Sequence, residues 1–169
     1  MKPFLCAISL LCPFAFPASA EEPVTPDTIK KLGGLALPYA GGGWEVEFHL
    51  RGRFITNDDS LKSLPALGEV RSLNLRDTRV TDAGMVHLAK LTQLRRLHLE
   101  RTSVTDEGIA HLAGLVHLEY LNLYGTKVSD KGMVHLKKLK KLKKIFLWKT
   151  GVTKKGAADL RSAFVDAKA

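Results

Sequence analysis

The sequence predicts an α/β fold in which a short strand and a helix alternate and the resulting units stand side by side. A shift of 24 residues superimposes Leu73, Leu75, Thr78, Val80, Thr81, Asp82, Gly84, His87, Leu88, Leu91 and Leu94 on identical residues between Leu97 and Leu118. A second shift of 24 reaches Leu121 to Leu142, with Ser129 standing for threonine. Self-similarity at such a period marks a stacked repeat. Within each copy the apolar spacing also changes from two residues at Leu73 and Leu75 to three at Met85, Leu88 and Leu91, the passage from strand to helix.

In one unit taken in order, Leu73 and Leu75 put their side chains on one face of a strand. Val80 then enters the interior beyond a short turn. Thr81 is placed to cap a helix, its hydroxyl accepting a first-turn N–H, and Asp82 adds negative charge where the helix dipole favours it. Gly84 leaves room for a neighbouring backbone, at a cost of about 1 kcal/mol in helix propensity. Leu94 closes the unit. One strand and one helix cannot bury so many leucines, so each unit must lean on its neighbours.

The segments Leu73-x-Leu75-x-x-Thr78 and Val80-Thr81-Asp82-Ala83-Gly84-Met85 resemble the leucine-rich repeat family, closest to short bacterial arrays with VTDAGL-type units and the related cysteine-containing subclass. The likeness runs from roughly Phe48 to Phe164, about five copies. It implies a right-handed solenoid with a parallel sheet on the concave side, helices on the convex side and helical caps at both ends. The usual Asn or Cys of this pattern is replaced by Thr78, Thr102, Thr126 and Thr150. A hydroxyl can still bond the turn backbone, so a threonine ladder is expected.

Residues 1–20 hold Lys2, an apolar run from Phe4 to Phe16 and then Ala18-Ser19-Ala20, which reads as a secretory signal peptide cleaved after Ala20. The run is shorter than the ~20 residues that span a bilayer. Export to the periplasm or the extracellular space is expected. A lipoprotein attached through Cys12 is the minor alternative, disfavoured by the bulky Leu11. Cys6 and Cys12 both fall in this segment, leaving the exported part without thiol, disulfide or cysteine-bound metal. Of the 26 basic side chains only Lys2 is lost with it, against 17 acidic ones, so the net charge stays near +8.

Residues 21–43 are expected to form a leader and an N-terminal capping helix. Thr25-Pro26-Asp27 opens that helix with proline at its first position, Gly33-Gly34 ends it near Leu32, and Gly41-Gly42-Gly43 reads as a hinge. The repeat domain is placed at residues 44–169. Trp44 to Arg51 alternates, putting Trp44, Val46, Phe48 and Leu50 inward on the first strand, with Phe48-x-Leu50 aligned to Leu73-x-Leu75 at an offset of 25. The last unit, Ile145 to Phe164, keeps Leu147, Thr150, Val152, Thr153, Gly156 and Leu160 but then departs, reading as a C-terminal cap flanked by Asp159, Arg161 and Asp166, with Lys168 and Ala169 as a tail.

The outward strand positions then form columns. From first strand to last they are Glu47, Ser72, Arg96, Tyr120 and Lys144; His49, Asn74, His98, Asn122 and Phe146; and Arg51, Arg76, Glu100, Tyr124 and Trp148. Tyr120, Tyr124, Phe146 and Trp148, gathered beside Lys144 and Lys149 with Arg96, Arg76 and His98 nearby, have the composition of a protein-contact surface, because rigid rings bury area at little entropic cost. Lys137, Lys138, Lys140, Lys141 and Lys143 form a second candidate, a basic patch for an anionic envelope polymer or lipid head groups, although lysines at a helix end also complement its dipole.

No nucleotide loop, paired carboxylates or nucleophile-base set is legible, so an enzyme is not expected and no cofactor is implied. Base-reading modules are also absent from the sequence, which excludes nucleic acid as the expected partner. His87, His111 and His135 recur at one helix position, but stacked helices sit ~8–10 Å apart, too far for those side chains to converge on one metal ion. Five strands at ~4.8 Å offer only a few hundred square ångströms, below the ~800 Å² per partner of a standard interface. The expected activity is therefore protein binding that is weak or that recruits loops and the lysine-rich edge.

Overall fold

A computed structural model describes residues 24–165. The segment 1–20 expected to be a signal peptide, with Cys6, Cys12 and the expected cleavage point after Ala20, lies outside the described residues, as do residues 21–23 and Asp166, Lys168 and Ala169.

The first helix, α1 (Pro26–Lys31), starts as its sequence requires. Thr25 and Thr28 exchange hydrogen bonds between side chain and backbone, Pro26 fills the first turn where no N–H is needed, and Lys30 and Lys31 sit at the negative end of the dipole. Ile29 is fully buried beneath it. The chain then forms β1 (Leu35–Pro38), which pairs antiparallel with β2 (Trp44–Glu47), Ala36 opposite Val46. The triple glycine is therefore no hinge but the tip of a hairpin. Gly41, Gly42 and Gly43 have φ of 92°, 92° and 84°, the left-handed region that other residues enter at a cost.

From β2 onward every pairing is parallel. Strands β3 (Val70–Asn74), β4 (Arg96–His98), β5 (Tyr120–Asn122) and β6 (Lys144–Phe146) follow in chain order, with Leu73 beside Leu97, Leu97 beside Leu121 and Leu121 beside Ile145. The sheet has six strands in the order of the sequence. Between them lie α2 (Asp82–Leu88), α3 (Asp106–Ala110) and α4 (Asp130–Leu136), each leaning on its neighbours, and α5 (Lys154–Val165) follows β6. Val80, Met85, Leu88, Leu91 and Leu94 all meet the strand leucines in one continuous buried cluster, as the change of period requires.

Two expectations for the first strand are overturned. Val46 pairs with Leu73 and Glu47 with Asn74, so the offset is 27 and not 25, and the inward pair is Val46 and Phe48. Leu50 lies beyond the strand and is 64% exposed. The strand ends at Glu47 and the chain turns through short 3-10 segments at Gly52–Phe54, Asp58–Leu61 and Leu64–Leu67.

The contact that repeats between units is carried by aspartate, not threonine. Thr78, Thr102, Thr126 and Thr150 each donate to the carbonyl three residues back in their own turn, at 2.6 to 2.8 Å. The expected hydroxyl-to-turn bond is present, but it links no two units. Asp82 does. Its Oδ1 accepts from Thr105 N–H at 2.8 Å and from Gly108 N–H at 3.0 Å, and its Oδ2 accepts from the Thr105 hydroxyl at 2.6 Å. Asp58, Asp106 and Asp130 hold Thr81, Ser129 and Thr153 by the same pair of bonds. Each carboxylate thus sits at the N-terminus of the next unit's helix, where free N–H groups and the dipole favour an anion.

This explains the recurring glycine. A Cβ on Gly84 would lie 2.5 Å from Asp58 Oδ1 and one on Gly132 would lie 2.5 Å from Asp106 Oδ1, with Gly108 and Gly156 crowded in the same way by Asp82 and Asp130. Gly84 chiefly makes room for a carboxylate of the preceding unit.

Candidate functional site

The corrected register moves the first strand by one step in the outward columns. Glu45 heads the column of Ser72, Arg96, Tyr120 and Lys144, and Glu47 heads that of Asn74, His98, Asn122 and Phe146. Ser72 donates its hydroxyl to Glu45 at 3.1 Å, which ties the top of the first column together. His49 and Arg51 fall past the end of β2 and leave their expected columns. His49 lies against the carboxylate of Glu47, whose pKa is raised by burial, an effect the histidine partly offsets.

The predicted contact residues do come together. The Tyr120 ring sits 5.4 Å from Phe146 and 4.7 Å from His98, both tilted, and the Arg96 guanidinium lies 5.1 Å over it. Tyr124 is held between two cations, Arg101 at 5.6 Å and Lys149 at 5.5 Å from the ring centre. Its hydroxyl pKa is lowered, first by the Lys149 hydrogen bond. Phe146 is 46% exposed and Trp148 77%. Part of the cluster is thus rings packing on one another, while Trp148 and one face of Phe146 stand free. Arg76 joins Tyr124, Phe146 and Trp148 around a cavity of about 280 Å³, and Lys144 joins Arg96 and Tyr120 around another of about 250 Å³ that Tyr39 also lines.

Several residues that pattern reading gives no role fix this geometry. Glu100 is buried on the outward face, where its Oε1 accepts from Asn122 Nδ2 at 2.7 Å and lies 3.0 Å from His98 Nδ1. Its Oε2 is buried with no partner. Asp77 stands between Arg76 and Arg101, 3.4 and 3.3 Å away, and this pairing raises the Arg101 pKa. Asp77, Arg101 and Lys149 occupy one turn position at φ of 59°, 55° and 57°, with Gly125 at 69°. The sequence signal is the single glycine at that place in the 24-residue period. The strand asparagines also serve this turn, Asn74 accepting from Arg76 N–H and Asn122 from Tyr124 N–H, both at 3.1 Å.

The basic patch lies elsewhere, on the turn between α4 and β6. Lys137 is half-buried, and Lys138, Lys140, Lys141 and Lys143 are exposed. Lys143 donates to Glu119 at 2.6 Å and Lys141 lies 3.0 Å from His117 Nδ1, so both reach back along the array. Lys140 donates to the Ala163 carbonyl at 3.4 Å. Lys143 and Lys144 line both the 250 Å³ cavity and a larger groove beside α5, and they join the patch to the ring cluster.

Among the described residues no set of three or more His, Cys, Asp or Glu side chains converges on a metal position, and no helix is long and apolar enough to cross a membrane. A search of curated proteins finds no match to this chain. A family model described as Leucine Rich repeat matches residues 70–89, which contain β3 and α2, and residues 114–140, which contain β5 and α4. These matches support a leucine-rich repeat family for the chain, a family whose domains generally mediate protein–protein interaction and are typically non-enzymatic.

Proposed function

We propose that this chain is an exported, non-enzymatic protein-interaction module of the short VTDAGL repeat type. Its sheet curves into the concave face of a right-handed solenoid of about five units, closed by helical caps. The partner protein is held by Tyr120, Tyr124, Phe146 and Trp148 with Arg96, Arg76, His98, Lys144 and Lys149, and by the adjoining basic edge. One observation carries the reading. Aromatic side chains on neighbouring strands are framed by cations and leave Trp148 and Phe146 in solvent, where an isolated domain gains nothing from them. Export follows from the signal character of residues 1–20. In a pull-down from the native envelope, Trp148→Ala with Tyr124→Ala should lose the partner while the melting temperature holds; undiminished capture would end the proposal.

A second reading takes the lysine patch as a binder of anionic polymer or lipid head groups. It is favoured by exposed Lys138, Lys140, Lys141 and Lys143, and opposed by the inward ties of Lys141 and Lys143. Binding to anionic vesicles that falls steeply with salt and vanishes when Lys140, Lys141 and Lys143 become Gln would favour it.

A further inference from the structure

The sheet ends on an edge with free backbone groups. Leu75, Leu99 and Leu123 each donate their N–H to the next strand's chain at 2.9 Å, and Asp77, Arg101 and Gly125 do the same at 2.8 to 3.0 Å. Leu147 and Lys149 hold the corresponding places after β6, and among the described residues their N–H groups meet no backbone acceptor. Beside that edge runs a groove of about 840 Å³. Its apolar floor is Leu142, Ile145, Leu147, Leu160 and Phe164. Ile145 and Leu147 are only half-buried, whereas Leu97, Leu99, Leu121 and Leu123 at the same places are fully buried.

The rim is cationic. Lys140, Lys141, Lys143, Lys144 and Arg161 border the groove, and among the described residues its one acidic side chain, Glu119, is already engaged by Lys143 at 2.6 Å and Arg95 at 3.8 Å. Lys144 and Arg161 form no ion pair among the described residues. A bare strand edge over an apolar floor accepts an extended segment, and a cationic rim selects an acidic one.

We propose that the β6 edge receives an acidic segment of a partner polypeptide as an added strand. Its backbone carbonyls accept from Leu147 and Lys149 N–H, its alternate apolar side chains cover Ile145, Leu147 and Phe164, and its carboxylates meet Lys144 and Arg161. Backbone pairing supplies affinity and the alternation supplies specificity. A second copy of this chain is the poorer occupant, because its opposite edge strand β1, Leu35–Pro38, carries no carboxylate to meet the cationic rim and the helix beside it ends in Lys30 and Lys31. This inference rests on the protein-interaction reading and shares Lys144 and Lys149 with it, but its backbone pairing and apolar floor do not use the Tyr124 ring.

The test adds a synthetic peptide of about nine residues, alternating glutamate with valine, to the purified chain and follows amide hydrogen exchange. At saturation the Leu147 and Lys149 amides should exchange more slowly by about tenfold or more. A peptide N-methylated at alternate residues should fail to bind, and Lys144→Glu with Arg161→Glu should weaken binding about tenfold. Tyr124→Ala, one unit away from the edge, should bind the peptide unchanged even where capture of the envelope partner falls, so each proposal can fail alone. Equal binding of polyglutamate, unslowed Leu147 and Lys149 amides, the same slowing by self-association without peptide, or loss of peptide binding in the Tyr124 variant would each overturn the assignment.

Discussion

The two edges of the sheet are finished in opposite ways. At the N-terminal edge the chain folds back on itself, β1 pairing antiparallel with β2 and α1 packing on β1, so that Val46, Phe48 and Ile29 are fully buried. At the C-terminal edge no described strand follows β6, and Ile145, Leu147 and Phe164 are only half-buried over an open groove. A stacked array buries each face against the next, so its last face must be covered by the chain itself or by something else. Here the core at one end is closed from within, with Leu35 and Leu37 of β1 still exposed, and the core at the other end is left open beside the aromatic and basic residues. That asymmetry places the expected interaction surfaces together at one end.

The largest effects should separate the edges by stability. Phe48→Ala empties a sealed site and should cost about 4 kcal/mol in urea unfolding, whereas Phe164→Ala removes a ring already half in water and should cost about 1 kcal/mol. Equal losses would mean that the two edges are packed alike.

Between the edges, the aspartate contacts run one way, each unit holding the helix start of the unit after it. Gly108→Ala tests this with a reversal of sign. Helix propensity alone favours alanine by about 1 kcal/mol, but the methyl would overlap the Asp82 carboxylate and cost about 2 kcal/mol net. In an Asp82→Ala background the cost should fall to what Val104 Cγ1 at 2.9 Å and Met85 Cγ at 3.0 Å still impose, whereas Gly114→Ala, whose Cβ would meet open space, should be neutral or stabilising. A stabilising Gly108→Ala in the parent chain would remove the aspartate from the account.

The interior of this fold was legible because Leu73, Leu97 and Leu121 repeat without a gap, and near-identical segments pair in register. The first strand was misaligned for a definite reason. A slip of two residues preserves which side chains face inward, so alternation from Trp44 to Leu50 could not separate Val46 and Phe48 from Phe48 and Leu50. Strand β1 has four residues, one of them Pro38, too few for alternation to register. Asp82 was visible at its period, but its partners are in the next unit, so reading one unit assigned it to its own helix. Within the candidate site, alternation found the outward rings. The Asp77–Arg101 pair and the buried Glu100 depend on turns and cross-strand distances that no linear pattern carries.

The smallest predicted difference is in pH response, and its sign differs between the edges. Burial raises the Glu47 pKa, so its contribution is fully present below the usual carboxylate range and is lost as pH rises through the raised value. Glu47→Gln should therefore gain stability relative to the parent at neutral pH more than in acid. Asp130, near the other edge, has its pKa lowered by bonds from Thr153, so its contribution is present above the usual range and is lost as pH falls through the lowered value. Asp130→Asn should lose stability at neutral pH and flatten the acid limb of thermal unfolding. Parallel pH curves for both variants would contradict these assignments.

The open C-terminal edge is tested most directly by residue-resolved hydrogen exchange of the isolated chain at the matched amides of Leu75, Leu99, Leu123 and Leu147. The first three donate to a neighbouring strand and should be strongly protected, while Leu147 should exchange at close to the rate of an unbonded amide. Protection of Leu147 equal to that of Leu123 would show the edge already closed and would contradict the account.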